Sequence, residues 1–526
     1  MRNWVIHEVL SSALAANPKG EVVSGNRRFT YEELNARVLR LANQLKKLGI
    51  IKGTVVGVMD VNSHRYLELQ YALSMLGAVI HTLNFRLSAN DLLYTIHHAQ
   101  DEWLFVWEGF ASAVGELPKN FAHWVWLTEN DEPTEAHAGL IYESLIAQGS
   151  EIDVDTTKKV SEEDPYSIFY TTGTTGRPKG LLYRHRDMLQ ASLQILHHLS
   201  LHPTGAKAQS QDVFMPLIPF FHIHAWGTAF SVPYLGAKLV LPERADARGQ
   251  LDLIKNESVT WSNMVPTQMQ MLMDEVEKSE SALSLKVLTG GSQLTSGVAR
   301  RAEHLGIQFS LIYGGSDQLA TSISILRSAT TWDQTKKREH LATRTYPLPM
   351  VEMEIRDELN GQRIIPDGKT MGEIWVRSPW IPDGYLGEKE RSKATYIDGW
   401  FRSGDLAIAF PDQTFYVVDR EKDAIKSGGE WIPSGVLEAL ISEHPKVDTV
   451  AVIAKKDEYW GERPIAVIRS RGELTEAEIK DFLEDIVKDR GIPGYWIPDE
   501  VILVNELPLT SAGKLNKAIL KQNLNI

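Results

Sequence analysis

Tyr170-Thr171-Thr172-Gly173-Thr174-Thr175-Gly176-Arg177-Pro178-Lys179-Gly180 is the stretch that decides how this chain is read. Glycines at 173, 176 and 180 permit positive φ and close backbone approach. Four threonines add hydroxyls, the loop adds N–H groups, and Lys179 adds a cation. Such a loop can wrap a polyphosphate. It is not a Walker A loop: Pro178 precedes the lysine and Gly180 follows it, where that motif needs Gly-Lys-Ser/Thr. A plain Gly/Thr surface loop is the competing reading. The four threonines and the Pro-Lys-Gly ending favour phosphate.

Outward from this loop the pattern is α/β. Ile168 to Tyr170 reads as a strand end, and a helix is expected from about Arg186. Residues 128–165 are polar, with acidic patches at 129–135 and 161–164, and read as a surface connection. Upstream, residues 27–32 are a short strand running into a helix, with Thr30 and Glu33 as a capping-box pair. Leu34, Val38, Leu41, Leu45 and Leu48 then share one helical face, and Gly49 is a stop. Val55–Met59 and Ala78–Leu83 are strand-like around a helix over 65–77, and Asp101–Trp107 continues the alternation. Helices on the faces of a sheet are the fold this predicts.

The 526 residues suffice for two or more domains. Hydrophobic residues make up 43% and charged residues 23%, the balance of a globular chain with a large core. A net charge of −13 argues against a nucleic-acid surface. It also requires any anionic ligand to be met by local cations or backbone dipoles. There are no cysteines, so disulfides, thiolate metal sites and a cysteine nucleophile are excluded together. No run approaches the ~18 apolar residues of a membrane span. Neither terminus reads as a targeting signal, and a cytoplasmic enzyme is the expectation.

Downstream, Phe214–Pro219 is strand-like and leads to Phe220-Phe221-His222-Ile223-His224-Ala225-Trp226-Gly227. The His-x-His pair has no third ligand at metal spacing nearby. Val287-Leu288 runs into Thr289-Gly290-Gly291-Ser292, and Ile312 into Tyr313-Gly314-Gly315-Ser316-Asp317. Strands ending in glycine turns are a common place for ligand sites in α/β sheets. Trp400 to Asp405, Asp419 to Asp423, and Ile425 to Trp431 follow. The last hundred residues read as a separate small α/β domain. It has strands at Thr449–Ala454, Pro464–Ile468 and Glu500–Val504, a second capping box at Thr475 and Glu478, and a stripe of Ile479, Leu483, Ile486 and Val487. Pro508-Leu509-Thr510-Ser511-Ala512-Gly513-Lys514 closes the series.

Together these motifs resemble the adenylate-forming superfamily of acyl-CoA synthetases, peptide-synthetase adenylation domains and beetle luciferases. Five motifs in the family order cover nearly the whole chain. The Phe-His-x-x-Ala-Trp-Gly run is most similar to medium- and long-chain fatty-acyl-CoA synthetases. The resemblance implies a large N-terminal α/β domain of mixed sheets flanked by helices over 1–421, which binds ATP and the acid. It implies a small mobile C-terminal α/β domain over 422–526, hinged at Lys422. Lys514 would be the adenylation lysine. Thr171, Thr172, Gly173, Thr174, Thr175, Gly176 and Lys179 would hold phosphates. Gly290, Gly291 and Ser292 would border adenine and the acyl pocket, with Tyr313 on adenine and Gly314 and Ser316 near the α-phosphate. Asp405 and Arg420 would take ribose and phosphate, and Lys426, Gly428, Gly429 and Trp431 would serve the CoA side. His222, Trp226, Gly291 and Gly315 would line the acid site, although a core role for Trp226 stands equally. Asp317 occupies the Mg²⁺ position, where the family usually has glutamate.

The implied reaction uses ATP, Mg²⁺ and coenzyme A. A carboxylate attacks the α-phosphate to give acyl-adenylate and pyrophosphate, and the CoA thiol then takes the acyl group. Small-molecule acid, ATP and CoA are the expected partners, with a homodimer implied by the family. Two alternatives remain at this stage: an adenylating enzyme with another acceptor, and a non-catalytic nucleotide-binding protein.

Overall fold

The computed structural model describes residues 3–526 except 116–120, 129–138, 152–159, 172–176, 281, 328–330, 358–359, 429, 491 and 510–514. The fold is α/β, with a large N-terminal domain and a smaller C-terminal one.

The helix His64–Leu76 is the centre of the large domain. Ser63 Oγ caps it by accepting the Tyr66 N–H at 3.2 Å, and Gly77 ends it at φ 68°. All thirteen of its residues are buried. A helix with no solvent face needs cover on every side. The helix Tyr31–Lys47 and two large sheets supply it, the sheets through the strands Val79–Thr82 and Glu21–Ser24. The first sheet has seven strands in the spatial order Leu140–Ile141, Trp124–Leu127, Trp103–Trp107, Val55–Met59, Val79–Thr82, Pro165–Thr171, Lys179–Arg184. It is parallel except for the final pair. The second sheet has nine strands. Its centre, Ile307–Gly315, Leu285–Gly290, Trp261–Met264, Val213–Pro216 and Lys238–Leu241, is parallel.

Burying this helix also buries its charges, which must then be paired. Arg65 Nε donates to Asp60 at 3.0 Å, and Arg37 Nε donates to Glu68 at 2.6 Å. Glu68 also accepts from the Tyr142 hydroxyl at 2.6 Å, and Glu143 accepts from Arg37 at 2.9 Å. Tyr142 and Glu143 start the helix Tyr142–Gln148, within the polar stretch expected to be surface connection. That expectation fails there because the polar residue Glu143 is the partner that neutralises Arg37. The parts of the stretch at 129–138 and 152–159 lie outside the described residues.

Other local readings hold. Thr30 and Glu33 form the capping box of the helix Tyr31–Lys47, which buries Leu34, Val38, Leu41 and Leu45. The strand expected over 214–219 is Val213–Pro216. It stops there because the Asn62 amide donates to the carbonyls of Pro216 at 3.0 Å and Ile218 at 2.8 Å, where a neighbouring strand would otherwise pair.

A third sheet, of antiparallel strands, includes Met371–Arg377, Trp400–Ala409 and Phe415–Arg420. The small domain has its own sheet, from Ile425–Ser427, Glu430–Ile432, Val447–Asp457, Gly461–Ser470 and Glu500–Leu503. The second capping box is present: Thr475 N–H donates to Glu478 at 2.8 Å, and Glu478 N–H donates back at 3.3 Å. Among the described residues no helix is long and apolar enough to cross a membrane.

Three buried imidazoles predict how the fold responds to acid. Burial pushes His7 down to about 4 and His185 and His224 down to about 3, from an ordinary value of 6.5. His185 Nδ1 accepts the Ile6 N–H at 3.3 Å, which a protonated ring could not do. Below pH 6.5 the unfolded chain therefore binds protons that the fold refuses. Their contribution is fully present above pH 6.5 and is lost as pH falls towards 4. Urea midpoints measured from pH 7.5 to 4.5 are expected to fall steadily below pH 6.5. Midpoints flat across that range would contradict this.

Candidate active site

Parallel strands of the second sheet end side by side, at Pro216, Met264, Gly290 and Gly315. Ligand sites in open α/β sheets lie beyond such carboxyl ends. Three cavities lie there, of about 530, 510 and 460 Å³, and Gly291 and Gly314 line all three.

The first cavity is walled by apolar groups. Met188, Ala191, Ser192 and Ile195 line it from one face of the helix His185–Leu201, at spacings of three, one and three residues. His222 and Trp226 line it from the other side. Trp226 also packs on the main core. The turn that carries it is unusual: Ile223, His224, Ala225 and Trp226 have φ of 51°, 48°, 54° and 56°, followed by Gly227 at 79°. Left-handed backbone costs roughly 1–2 kcal/mol per non-glycine residue, so surrounding contacts must hold it. The Asn263 amide and the Thr228 hydroxyl both donate to the Ala225 carbonyl at 2.8 Å. Gly227 is required, because a Cβ there would lie 2.2 Å from Ser192 Oγ. His224 anchors the turn among Tyr166, Phe169 and Phe230, with Nε2 3.0 Å from Ser167 Oγ. His222 and His224 thus have separate roles. Among the described residues no three His, Cys, Asp or Glu side chains form a metal cluster.

The second cavity is polar and carries both signs of charge. Thr171, Ser316, Asp317, Arg420 and Lys422 line it. Thr171 and Lys179 are register partners across the antiparallel pair that flanks the glycine-threonine loop. Thr172, Gly173, Thr174, Thr175 and Gly176 lie outside the described residues. Lys179 Nζ donates to the Tyr385 hydroxyl at 3.2 Å, and that hydroxyl donates to Asp317 Oδ1 at 2.7 Å. Burial lowers the Lys179 ammonium from the usual lysine range, and the Asp317 charge opposes the shift. Lys422 is likewise lowered, by burial and then by Arg420.

Tyr313, Asp405, Tyr416 and Val418 are among the residues that line the third cavity. The Tyr313 hydroxyl donates to Asp405 Oδ2 at 2.7 Å, and Arg420 Nε lies 3.3 Å from Asp405 Oδ1. Asp405 is the largest cause holding Arg420 charged. The glycines between the compartments permit close approach. A Cβ on Gly290 would meet the Ile312 carbonyl at 2.4 Å, and one on Gly314 would meet the Leu319 carbonyl at 2.1 Å.

Sequence-derived residues Gly291, Ser292, Tyr313, Gly314, Gly315, Ser316, Asp317, Asp405, Arg420, Lys422, His222 and Trp226 are thus brought to one place. Lys426, Gly428 and Trp431 do not line these cavities: they sit on the small domain's sheet, with Lys426 Nζ 4.9 Å from the Trp431 ring centre. Gly429 and Lys514 lie outside the described residues. Sequence reading missed the 188–195 stripe, whose i, i+3, i+4, i+7 spacing was available, and Tyr385, for which no local signal exists. It also missed the contact between domains, where Asp419 accepts from Ser434 N–H and Oγ at 2.6 Å, and the Lys517–Glu438 pair at 2.7 Å inside the small domain.

An apolar slot, a polar slot bearing cations and carboxylates, and a slot where Tyr313 holds a carboxylate can accommodate an organic acid, a polyphosphate and a nucleoside around one point. The model of the AMP-binding enzyme family matches residues 11–386, and that of the AMP-binding enzyme C-terminal domain matches 436–514. The chain belongs to the AMP-binding enzyme family. It is 34% identical over 506 residues to a long-chain-fatty-acid–CoA ligase of Thermus thermophilus, covering 94% of this chain and 90% of that one. It is 33% identical over 542 residues to a medium-chain-fatty-acid–CoA ligase of Ectopseudomonas oleovorans, covering 99% and 96%. In fold it is similar to the anthranilate CoA ligase AuaEII in complex with anthranoyl-AMP, with TM-score 0.86, 21% identity, and 100% and 98% of the two chains covered.

Mg²⁺ is the metal this family's chemistry implies. One hard carboxylate, Asp317, with the rest of the shell left to substrate phosphates and water, is a donor set suited to it.

The third cavity yields a test. Asp405→Asn removes the charge that Tyr313 and Arg420 share. Losing a charge-assisted hydrogen bond of ~1.5–3 kcal/mol should weaken ATP binding roughly tenfold to a hundredfold. Calorimetric titration against wild type checks this, and unchanged affinity would remove Asp405 from the nucleotide site.

Proposed function

We propose that this chain is an ATP-dependent, AMP-forming acyl-CoA synthetase acting on a fatty or related carboxylic acid. The observation that carries the reading is the meeting of three dissimilar cavities at Gly291 and Gly314. The acid's carboxylate and the α-phosphate must come together where apolar, polar and nucleoside compartments touch. The two similar ligases act, by their names, on long-chain and medium-chain fatty acids, and the apolar wall from Met188 to Ile195 fits such a tail.

The first half-reaction joins two anions, so it needs charge neutralisation and placement. Lys179, Arg420 and the loop beginning at Thr171 restrain the phosphates. His222 stands between the acid and phosphate compartments, which both include it. Asp405 takes the ribose hydroxyls, and Tyr313 bounds the adenine. When bound, Mg²⁺ held by Asp317 neutralises the phosphates. Lys514 delivers the adenylation cation from the small domain. The adenylate hydrolyses in water, so the site must exclude water during turnover. In the second half-reaction the small domain, 422–526, turns about Lys422 relative to 1–421, and the surface around Lys426, Gly428, Gly429 and Trp431 admits CoA. A homodimer is the assembly we assign, to be checked by light scattering.

The decisive experiment incubates the protein with ATP, Mg²⁺, CoA and a panel of carboxylic acids, following pyrophosphate and acyl-CoA mass together. Acyl-CoA from medium or long fatty acids is expected, with Lys514→Ala releasing little pyrophosphate. Pyrophosphate without acyl-CoA would mean another acceptor. Neither product would leave a nucleotide-binding protein. Separately, Lys422→Pro fixes φ at the hinge. It is expected to slow thioester formation from supplied adenylate more than adenylation. Equal loss in both would sink the hinge assignment.

A further inference from the structure

We propose that Tyr385 is a positioning residue that sets the Asp317 carboxylate for Mg²⁺ and couples it to Lys179. The inference rests on the functional reading above, which assigns Mg²⁺·ATP to this cavity.

Three tyrosines from separate segments hold the two-residue turn Ser316-Asp317. The Tyr183 hydroxyl donates to the Ser316 carbonyl at 2.5 Å, and the Tyr396 hydroxyl donates to the Asp317 carbonyl at 3.1 Å. Both fix the backbone. Tyr385 alone of the three reaches the Asp317 side chain, at 2.7 Å. A phenol hydroxyl is protonated at neutral pH and can donate. A carboxylate one methylene shorter than glutamate has fewer rotamers with which to find a metal. Fixing Oδ1 by a short charge-assisted bond fixes the plane of the group and assigns Oδ2 to the cation.

The tyrosine is itself held. Its N–H donates to Ser392 Oγ at 2.9 Å, and the next residue, Leu386, donates its N–H to the Gly180 carbonyl at 2.8 Å. Gly180 directly follows Lys179, so this segment is tied to the base of the phosphate loop. The Tyr385 hydroxyl also accepts from Lys179 at 3.2 Å, and the Lys179 ammonium lies 4.5 Å from the centre of the same ring. One hydroxyl thus sets the distance between the phosphate-loop cation and the metal carboxylate. Partners of this kind, behind a ligand, are worth about 10–100-fold in metal affinity.

The test uses full-length protein with α,β-methylene-ATP and Mn²⁺, reading free Mn²⁺ by electron paramagnetic resonance. Tyr385→Phe is expected to bind Mn²⁺ roughly tenfold or more weakly than wild type, while its melting temperature stays near wild type. In an Asp317→Asn background, adding Tyr385→Phe should cause no further loss, because the tyrosine acts through that carboxylate. Wild-type Mn²⁺ affinity in Tyr385→Phe, or an equal loss in the Asp317→Asn background, overturns the proposal. Should Tyr385→Phe fail to fold, Asp317→Glu serves: it displaces the carboxylate from the hydroxyl, and unchanged Mn²⁺ affinity would overturn the proposal too. If wild-type protein binds no Mn²⁺ with the nucleotide, the functional reading itself fails, and this inference with it.

Discussion

Burying one helix between two parallel sheets is the constraint on which the structure depends. His64–Leu76 has no face for water. Each side must be covered, and the two sheets and the helix Tyr31–Lys47 do so. Its arginine and glutamate cannot be left unpaired in that layer. They recruit Asp60, Arg37, Tyr142 and Glu143 from three other segments. At the strand ends of the nine-stranded sheet, Gly291, Gly314 and Gly315 line the same cavity as Thr171 of the seven-stranded sheet.

There the difficulty is charge. The chain carries −13, and the ligands of an AMP-forming ligase are anions. Local cations answer it: Arg420 and Lys422 line the second cavity, and Lys179 bonds the Tyr385 hydroxyl that reaches Asp317. Each is restrained by burial or by a carboxylate, which limits free motion before substrate arrives. The first cavity uses a different device. Backbone strain at 223–226 is held by Asn263, Thr228 and the buried His224, which places the Trp226 side chain at the cavity wall. A strained turn there costs stability, and the contacts around it must hold it in place.

Local interactions were legible in the sequence and distant ones were not. Thr30 with Glu33 and Thr475 with Glu478 are three residues apart, so their capping boxes follow from spacing alone. The glycine turns at 290 and 314 were visible as composition, though their reason, a carbonyl where a Cβ would sit, was not. Glu143 was read as surface because its neighbours are polar, yet Arg37 lies more than a hundred residues before it. Tyr385 and Asp317 are 68 positions apart, and Lys517 and Ser434 are 83. No period or motif links such pairs.

The sequence by itself determined the α/β class, the order of the motifs and the chemical type of each site residue, because these depend on periodicity and on side-chain chemistry. Tertiary structure alone decided which residues share a cavity, that three cavities meet at two glycines, and that a tyrosine joins Lys179 to Asp317. Those facts depend on how sheets stack and where strands end, and sheet stacking is set by long-range burial that no local stretch encodes.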